Sequence, residues 1–244
     1  MSSNMKSIVF AAVLCVVCSV LLTAASTGLK EQQERNNTLD RQTNLLKSVR
    51  LVSGDKVYTP LEIDKLYKDS IRMVYVDSEG NVYSKDNAPE KAMPLYIELD
   101  KSKNGESVSS YILPIETKGL WGTIYGYLAV KTDGETINGF TVYKSAETPG
   151  LGGEIEKQWF QNNFVGKKIV NAEGHFASIA VAKGQVKDLP DKVRPNLVDG
   201  ISGATLTGKK LSEGLKRILT DYEPLAEKLR KKEPVEFLKN GKTS

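Results

Sequence analysis

The chain has 244 residues, of which 26% are charged and 40% hydrophobic, and its formal net charge is +4. This composition is typical of a globular protein and leaves room for one membrane segment and one ordinary domain. Basic residues are spread along the chain and form no nucleic-acid-binding module, so nucleic acid is excluded as an expected partner.

An uninterrupted run of apolar and small residues extends from Ile8 to Ala25. At the rise of an α-helix, this run is just long enough to cross the hydrocarbon core of a membrane. A cleaved signal peptide is the alternative, because small residues suitable for cleavage occur at 23–27. The run exceeds the usual length of a signal core, so we favour an uncleaved anchor. The numbers of Lys and Arg on its two sides do not fix its orientation.

Both cysteines of the chain, Cys15 and Cys18, lie in this apolar run. A Cys-x-x-Cys pair can bind a metal or undergo redox chemistry, but inside a membrane helix it lacks the loop geometry of such sites. We therefore interpret the two residues as small apolar side chains and expect no metal site. The sequence after the anchor contains no cysteine and cannot form an internal disulfide.

The stretch after the anchor is polar, but its leucine and valine residues recur at a spacing that places them on one helix face. These residues are Leu39, Leu45, Leu46 and Val49. The spacing predicts a helical stalk that leads from the membrane to a domain. The expected organisation is a short N-terminal segment at 1–7, a transmembrane helix at 8–28, a stalk at 29–50 and one domain at 51–244.

Within that domain, Pro60 begins a predicted helix that extends to Tyr67. Alternating apolar residues then predict strands at 71–76, 81–83, 95–99, 108–113, 122–130 and 136–143, with a hairpin loop at 77–80. A helix at 154–163, a strand at 178–182 and helices at 206–219 and 224–232 follow. Strands dominate the middle and helices the end, without regular alternation. This order predicts an α+β fold with a largely antiparallel twisted sheet and flanking helices.

The run Asp199-Gly-Ile-Ser-Gly-Ala-Thr205 combines a turn, small residues and a terminal hydroxyl, directly before the predicted helix at 206–219. Thr205 is therefore expected near a helix N-terminus, where unpaired N–H groups and the helix dipole favour a phosphate. Gly203 and Ala204 permit close approach of a ligand to the backbone. The alternative is an ordinary Ser or Thr N-cap that follows a glycine turn.

A second candidate segment, Glu147-Thr-Pro-Gly-Leu-Gly-Gly153, contains three glycines and one proline. Such a composition predicts a loop between a strand and the following helix. A loop of this kind also exposes backbone N–H and C=O groups that a ligand can use. Trp121, at the start of a predicted strand, is by itself typical of a core residue.

The pattern Asp199-x-x-Ser-Gly-Ala-Thr205 resembles the flavinylation signal of bacterial FMN-binding domains, in which a transferase joins the phosphate of FMN to the threonine hydroxyl. The hydrophobic N-terminal segment, the stretch Leu-Pro-Ile-Glu-Thr-Lys-Gly-Leu-Trp-Gly at 113–122 and the loop at 147–153 extend the resemblance through most of the chain. Together they resemble the NqrC family, whose members belong to the Na+-translocating NADH:quinone oxidoreductases. The matching FMN-binding protein of the Rnf complex, RnfG, is a related alternative.

The resemblance implies an FMN that is covalently attached to Thr205 through a phosphoester. It implies a flavinylation signal formed by Asp199, Ser202, Gly203, Ala204 and Thr205, of which the last four also bind the cofactor. Further cofactor contacts are implied at Leu120, Trp121, Glu147, Thr148, Gly150 and Leu151. No residue of the chain is expected to act as a catalytic acid, base or nucleophile during turnover.

The family implies an electron-relay subunit of a complex that couples NADH-driven quinone reduction to outward Na+ transport. The chain alone is then expected to have no NADH or quinone activity. The implied partners are a second subunit with covalent FMN, membrane subunits that hold an iron–sulfur centre, the flavin transferase and membrane lipid. The implied location is the bacterial inner membrane, with residues 1–7 in the cytoplasm and the domain in the periplasm. A membrane-anchored scaffold without cofactor remains the alternative from a different functional class.

Overall fold

The computed structural model describes residues 3–53, 56–100 and 107–235. Contacts divide the chain into two units, one that ends at Asp40 and one that begins at Arg41. The first unit is formed by the greater part of helix α1 (Ser3–Ser48). Within the described residues, α1 is the one helix that is long and apolar enough to cross a membrane. Its large apolar side chains are exposed throughout the apolar run, as expected of a segment that lipid surrounds.

The second unit contains a six-stranded sheet with the spatial order β2-β1-β3-β4-β5-β6, in which all neighbouring strands are antiparallel. The strands are β1 (Ile71–Val76), β2 (Val82–Tyr83), β3 (Met93–Asp100), β4 (Ser107–Lys118), β5 (Thr123–Lys131) and β6 (Ile137–Lys144). Two short strands, β7 (Ala180–Val181) and β8 (Leu197–Val198), form a separate parallel pair. The predicted α+β fold with a largely antiparallel sheet is confirmed.

Within the described residues, three helices besides α1 flank the sheet: α2 (Pro60–Ser70), α3 (Gln158–Asn162) and α4 (Thr205–Arg230). Helix α4 is amphipathic and packs on β4 and β7. The residues of α4 that enter the main core are Leu211, Leu215, Ile218, Leu219, Tyr222 and Leu225. At Gly214 the helix approaches the sheet so closely that an added Cβ would lie 1.8 Å from Oγ1 of Thr117. Glycine therefore sets the distance between α4 and β4.

The opposite face of the sheet is covered by residues that follow Asp40. Leu45, Leu46 and Val49 are all buried, and Oγ1 of Thr141 on β6 donates to the carbonyl oxygen of Asn44 over 3.1 Å. An added Cβ at Gly139 would lie 2.2 Å from the carbonyl oxygen of Ser48. Three residues of the predicted apolar face, Leu45, Leu46 and Val49, thus pack on the sheet.

The predicted helices at 206–219 and 224–232 are one continuous helix, which is a correction to the sequence analysis. Pro224 lies inside α4, where proline normally removes one hydrogen bond and clashes with the preceding turn. Tyr222 and Leu225, on either side of it, are buried in the core. Burial of these side chains offsets the free-energy cost of the proline. Helix propensity alone does not predict this outcome, because it contains no information on burial.

Two other predicted elements are shorter in the structure. The predicted helix at 154–163 is a 3₁₀ turn (Gly152–Glu156) followed by α3, because Lys157 between them is extended with φ −82° and ψ 142°. The predicted strand at 178–182 contracts to β7. Ser178, just before it, has φ +63°, and a positive φ interrupts an extended strand.

Candidate functional site

Helix α4 begins at Thr205 without a side-chain cap. The N-cap residue is Ala204, with φ −120° and ψ 31°, and it makes no side-chain capping bond. The simple alternative in which Thr205 is itself the N-cap is therefore wrong. The first N–H groups of a helix have no partner inside the helix, and here no cap side chain satisfies them. The Thr205 side chain is exposed beside this positively polarised helix end.

A cleft of about 320 Å³ lies next to the first turn of α4, and its size falls within the range of small-molecule sites. The cleft is lined by Leu120, Trp121, Glu147, Thr148, Leu151, Gly152, Gly203, Ala204, Thr205, Leu206 and Thr207. Three segments that are distant in sequence thus meet at one place. Most of the residues that the sequence analysis singled out belong to this set.

Four large apolar side chains of the cleft are exposed to solvent. Trp121 is 70% exposed, Leu206 59%, and Leu120 and Leu151 are each 43% exposed. A group of exposed apolar side chains around a concave surface marks a site that an apolar ligand or partner covers. Leu206 was not predicted from the sequence. Its signal is an apolar residue directly after Thr205, on the outer side of the first helical turn.

Glu147 joins the three segments that form the cleft. Its Oε1 atom accepts hydrogen bonds from the backbone N–H groups of Leu120 at 2.7 Å and Trp121 at 3.0 Å. Its Oε2 atom accepts a bond from Oγ1 of Thr207 at 2.5 Å. Glu147 and Thr207 are both buried. The sequence analysis missed Thr207, because its partner is 60 residues away in sequence.

Glycine residues let the walls of the cleft come together. Gly203 has φ +74°, and an added Cβ there would lie 2.8 Å from Cδ2 of Leu151. An added Cβ at Gly152 would lie 2.5 Å from Oγ1 of Thr207. Gly150, with φ +76°, lies in the turn that the N–H of Leu151 closes on the carbonyl oxygen of Thr148. The loop composition that predicted a turn thus also determines the width of the cleft.

Asp199, Ser202 and Gly150 do not line this cleft. Asp199 lines a second cleft of about 260 Å³, together with Lys167 and Lys187. Its Oδ1 atom accepts a 2.6 Å hydrogen bond from the backbone N–H of Val186. Burial lowers the pKa of Lys167, and the charge of Asp199 opposes that change. Ser202 is exposed in the turn before α4.

The lining of the first cleft fits FMN. The apolar side chains of Leu120, Trp121 and Leu151 suit an aromatic ring system. The Thr205 hydroxyl and the uncapped start of α4 suit a phosphate. The close contact between Gly203 and Leu151 leaves no room for a side chain at residue 203.

Comparisons with known proteins agree with this geometry. The FMN-binding domain family matches residues 119–220, a range that contains all the lining residues of the first cleft. The NqrC protein of the Na+-translocating NADH-quinone reductase from Vibrio vulnificus is 36% identical over 214 residues, which cover 80% of this chain and 82% of that protein. The same protein from Pseudomonas aeruginosa is 32% identical over 233 residues, with coverages of 85% and 88%.

Solved structures show the same fold. The crystal structure of NqrC from Parabacteroides distasonis superposes with a TM-score of 0.66 at 30% identity and covers 81% of this chain and 96% of that one. NqrC from Shewanella oneidensis has a TM-score of 0.62 at 23% identity, with coverages of 82% and 99%. With identity and coverage at this level along most of its length, the chain belongs to the NqrC family of the Na+-translocating NADH-quinone reductases.

Proposed function

We propose that this chain carries FMN, attached as a phosphoester to Thr205, and relays electrons within a Na+-translocating NADH:quinone oxidoreductase. One observation carries the proposal. An exposed threonine, an uncapped helix start and an apolar cleft lie together, inside the segment that matches the FMN-binding domain family. FMN, once bound, supplies the ability to accept electrons and pass them on.

Thr205 is the attachment point and takes no part in proton transfer during turnover. Thr205 is exposed, whereas Thr207, two residues later, is buried and its hydroxyl donates to Glu147. This difference in access supports Thr205 as the acceptor. The Ser202 hydroxyl and the first N–H groups of α4 stabilise the phosphate charge. The net change in mass is one FMN minus one water.

The other residues of the cleft bind and orient the ring. Leu120, Trp121 and Leu151 cover its faces and exclude water, and Leu206 joins them from the first turn of α4. Thr148 and Gly150 hold the loop on which Leu151 lies. Glu147 keeps the segments at the correct separation through its three hydrogen bonds. In this role Glu147 positions the site through protein contacts.

At the level of the complex, NADH oxidation and quinone reduction take place on other subunits. We therefore expect the isolated chain to show neither activity. Its partners are a second subunit with covalent FMN, membrane subunits with an iron–sulfur centre, and the flavin transferase during maturation. The chain is anchored in the inner membrane by residues 8–28, with residues 1–7 in the cytoplasm and residues 29–244 in the periplasm. The stalk in this proposal ends at Asp40, because the residues from Arg41 onward belong to the same compact unit as the sheet.

Intact-mass measurement tests the attachment. The full chain is produced together with an active flavin transferase, as wild type and as the variants Thr205→Ala, Ser202→Ala and Thr207→Ala. We expect the FMN adduct on wild type and on the Ser202 variant, and no adduct on Thr205→Ala, which stays folded. Thr207→Ala tests the other threonine of the first turn, and an adduct on this variant shows that the Thr207 hydroxyl is not the acceptor.

An unmodified wild-type chain would contradict the proposal and favour the anchored scaffold without cofactor. Co-purification distinguishes the Rnf alternative, since a flavinylated chain that isolates with Rnf subunits would assign it to that complex. Topology is tested with Glu173→Cys in a chain that also carries Cys15→Ser and Cys18→Ser. Glu173 is exposed, so a membrane-impermeant maleimide should label it in intact cells with a permeable outer membrane.

A further inference from the structure

The resemblance places Asp199 in the flavinylation signal, yet Asp199 and Thr205 line different clefts. Asp199 lines the second cleft with Lys167 and Lys187, whereas Thr205 lines the first. Among the described residues, no lining residue is common to the two clefts. The role in flavin attachment that the resemblance implies for Asp199 therefore needs an explanation other than lining the cleft that contains Thr205.

The turn at 199–204 is tied to the segment at 182–186 by a ladder of hydrogen bonds. The N–H of Ala182 donates to the carbonyl oxygen of Val198 and the N–H of Gly200 donates to that of Gly184, each over 2.9 Å. The next donor along the segment is the N–H of Val186, and the side chain of Asp199 accepts its bond. Asp199 thus extends a backbone ladder that begins with the pairing of β7 and β8.

Val181, the residue directly before this segment, is fixed to helix α4. The N–H of Val181 donates to Oγ of Ser212 over 2.8 Å, and an added Cβ at Gly208 would lie 3.1 Å from Cγ1 of Val181. The segment at 182–186 is therefore anchored to α4 through Val181 and bonded to the turn that leads into Thr205. A change in that segment alters the position of the turn and of the hydroxyl that follows it.

We propose that Asp199 is a positioning residue for flavin attachment, which acts by accepting the bond from the Val186 N–H and thereby holding the turn at 199–204. This inference rests on the proposed role of Thr205 as the acceptor. In the attachment step, Oγ of Thr205 forms a bond to the phosphorus of a flavin phosphoanhydride and releases its proton. The anhydride bond breaks, and the leaving phosphate takes the electron pair. Small displacements of a reacting group lower the rate of such a step strongly.

The decisive experiment removes the donor and leaves Asp199 intact. Val186→Pro deletes the N–H group, and position 186 accepts proline because it begins a 3₁₀ turn. Gln185 before it is already extended, with φ −83° and ψ 135°, as a residue that precedes proline prefers. Val186→Ala is the matched control, since it shortens the same buried side chain but keeps the N–H.

The full chain in detergent is incubated with the transferase and its flavin donor, and the initial rate of adduct formation is followed by intact mass. We expect Val186→Pro to be modified about ten-fold more slowly than Val186→Ala, because a hydrogen bond to a carboxylate is lost. Thermal unfolding of each variant shows whether it is folded during the reaction. Equal rates for Val186→Pro and Val186→Ala would overturn the inference.

Variants of Asp199 provide the second measurement and decide the question if Val186→Pro does not fold. Asp199→Asn keeps an acceptor oxygen and removes the charge, whereas Asp199→Ala removes both. If Asp199 acts by positioning the turn, Asp199→Asn should be modified several-fold faster than Asp199→Ala. Equal slow rates for both would assign the carboxylate to direct recognition by the transferase. A wild-type chain that acquires no adduct would instead contradict the proposed function itself.

Discussion

Glu147 is the residue on which the geometry of the first cleft depends. Replacement by alanine leaves the buried Thr207 hydroxyl and two partly buried backbone N–H groups without their acceptor, and unsatisfied buried donors are costly. We expect Glu147→Ala to lower the free energy of unfolding by about 3 kcal/mol. Glu147→Gln keeps an acceptor oxygen and should lose less. Urea unfolding of the protein without cofactor measures both.

Glu156 provides the control for this prediction. It lies in the same loop region and is exposed, and its carboxylate accepts a hydrogen bond from Oγ of Ser145 at 2.7 Å. Glu156→Ala should change the free energy of unfolding by about 0.5 kcal/mol or less. A loss for Glu147→Ala no larger than that for Glu156→Ala would show that the three segments do not depend on the carboxylate.

At the scale of residues, the sequence predicted a large part of the cleft and missed the contacts that cross the fold. Local composition identified Thr205 and Leu151, because glycine turns and a helix start are visible in a short window. It did not identify Thr207, whose partner Glu147 is distant in sequence. The orientation of Asp199 also depends on where the segment at 182–186 returns, and no local pattern contains that information.

Among the elements, the contact between α4 and β4 gives a prediction about packing. Gly214→Ala should destabilise the protein by about 2 kcal/mol, because the new methyl group overlaps Thr117. This outcome is opposite to the gain of up to about 1 kcal/mol expected from helix propensity alone. Gly184→Ala is the control, since nothing lies within 4 Å of its added Cβ. Chemical unfolding of both variants gives the comparison, and a stabilised Gly214→Ala would contradict the close packing.

The hairpin between β1 and β2 gives a prediction about pH. Burial raises the pKa of Asp77, but hydrogen bonds from Asn81, Tyr83 and the N–H of Glu79 outweigh it and lower the pKa from 3.8 to about 2. Because the folded-state pKa is the lower one, this contribution to stability is complete above pH 3.8. It is lost as the pH falls through about 2.

The melting temperature of wild type should therefore fall more steeply between pH 4 and pH 2 than that of Asp77→Asn. The exposed Asp86, which lies outside the hairpin, supplies the control variant Asp86→Asn. Identical slopes for wild type and Asp77→Asn would show that the hydrogen bonds to Asp77 do not stabilise the hairpin.

Element prediction from the sequence was accurate where the pattern is local. Strand β1 begins and ends at the predicted residues 71 and 76, because its alternation and the following Asp77–Gly80 turn lie in one short window. A local pattern could not predict that the two predicted C-terminal helices form the single helix α4. Proline at 224 favours an interruption locally, and burial of Tyr222 and Leu225 overrides it.

For the whole molecule, the burial of Leu45 and Leu46 predicts where the chain can be shortened. A protein that begins at Arg41 should be soluble and unfold cooperatively. A protein that begins at Leu51 lacks both leucines and Val49, and large buried side chains contribute about 2–5 kcal/mol each. This sum is comparable to the total stability of a domain, so the shorter protein should be largely unfolded at 25 °C.

Circular dichroism melting and hydrogen exchange compare these two proteins with a third that begins at Lys30. The third should match the protein from Arg41, because residues 31–38 are exposed. A protein from Leu51 that melts within a few degrees of the protein from Arg41 would show that residues 41–49 do not stabilise the sheet.

The three hydrogen bonds of Glu147 are made entirely by groups of the polypeptide. We therefore expect the cleft to form before the cofactor binds. In this order of assembly, the polypeptide folds first and the folded protein then receives its FMN. A colourless precursor with native hydrogen-exchange protection is the intermediate that such an assembly order requires.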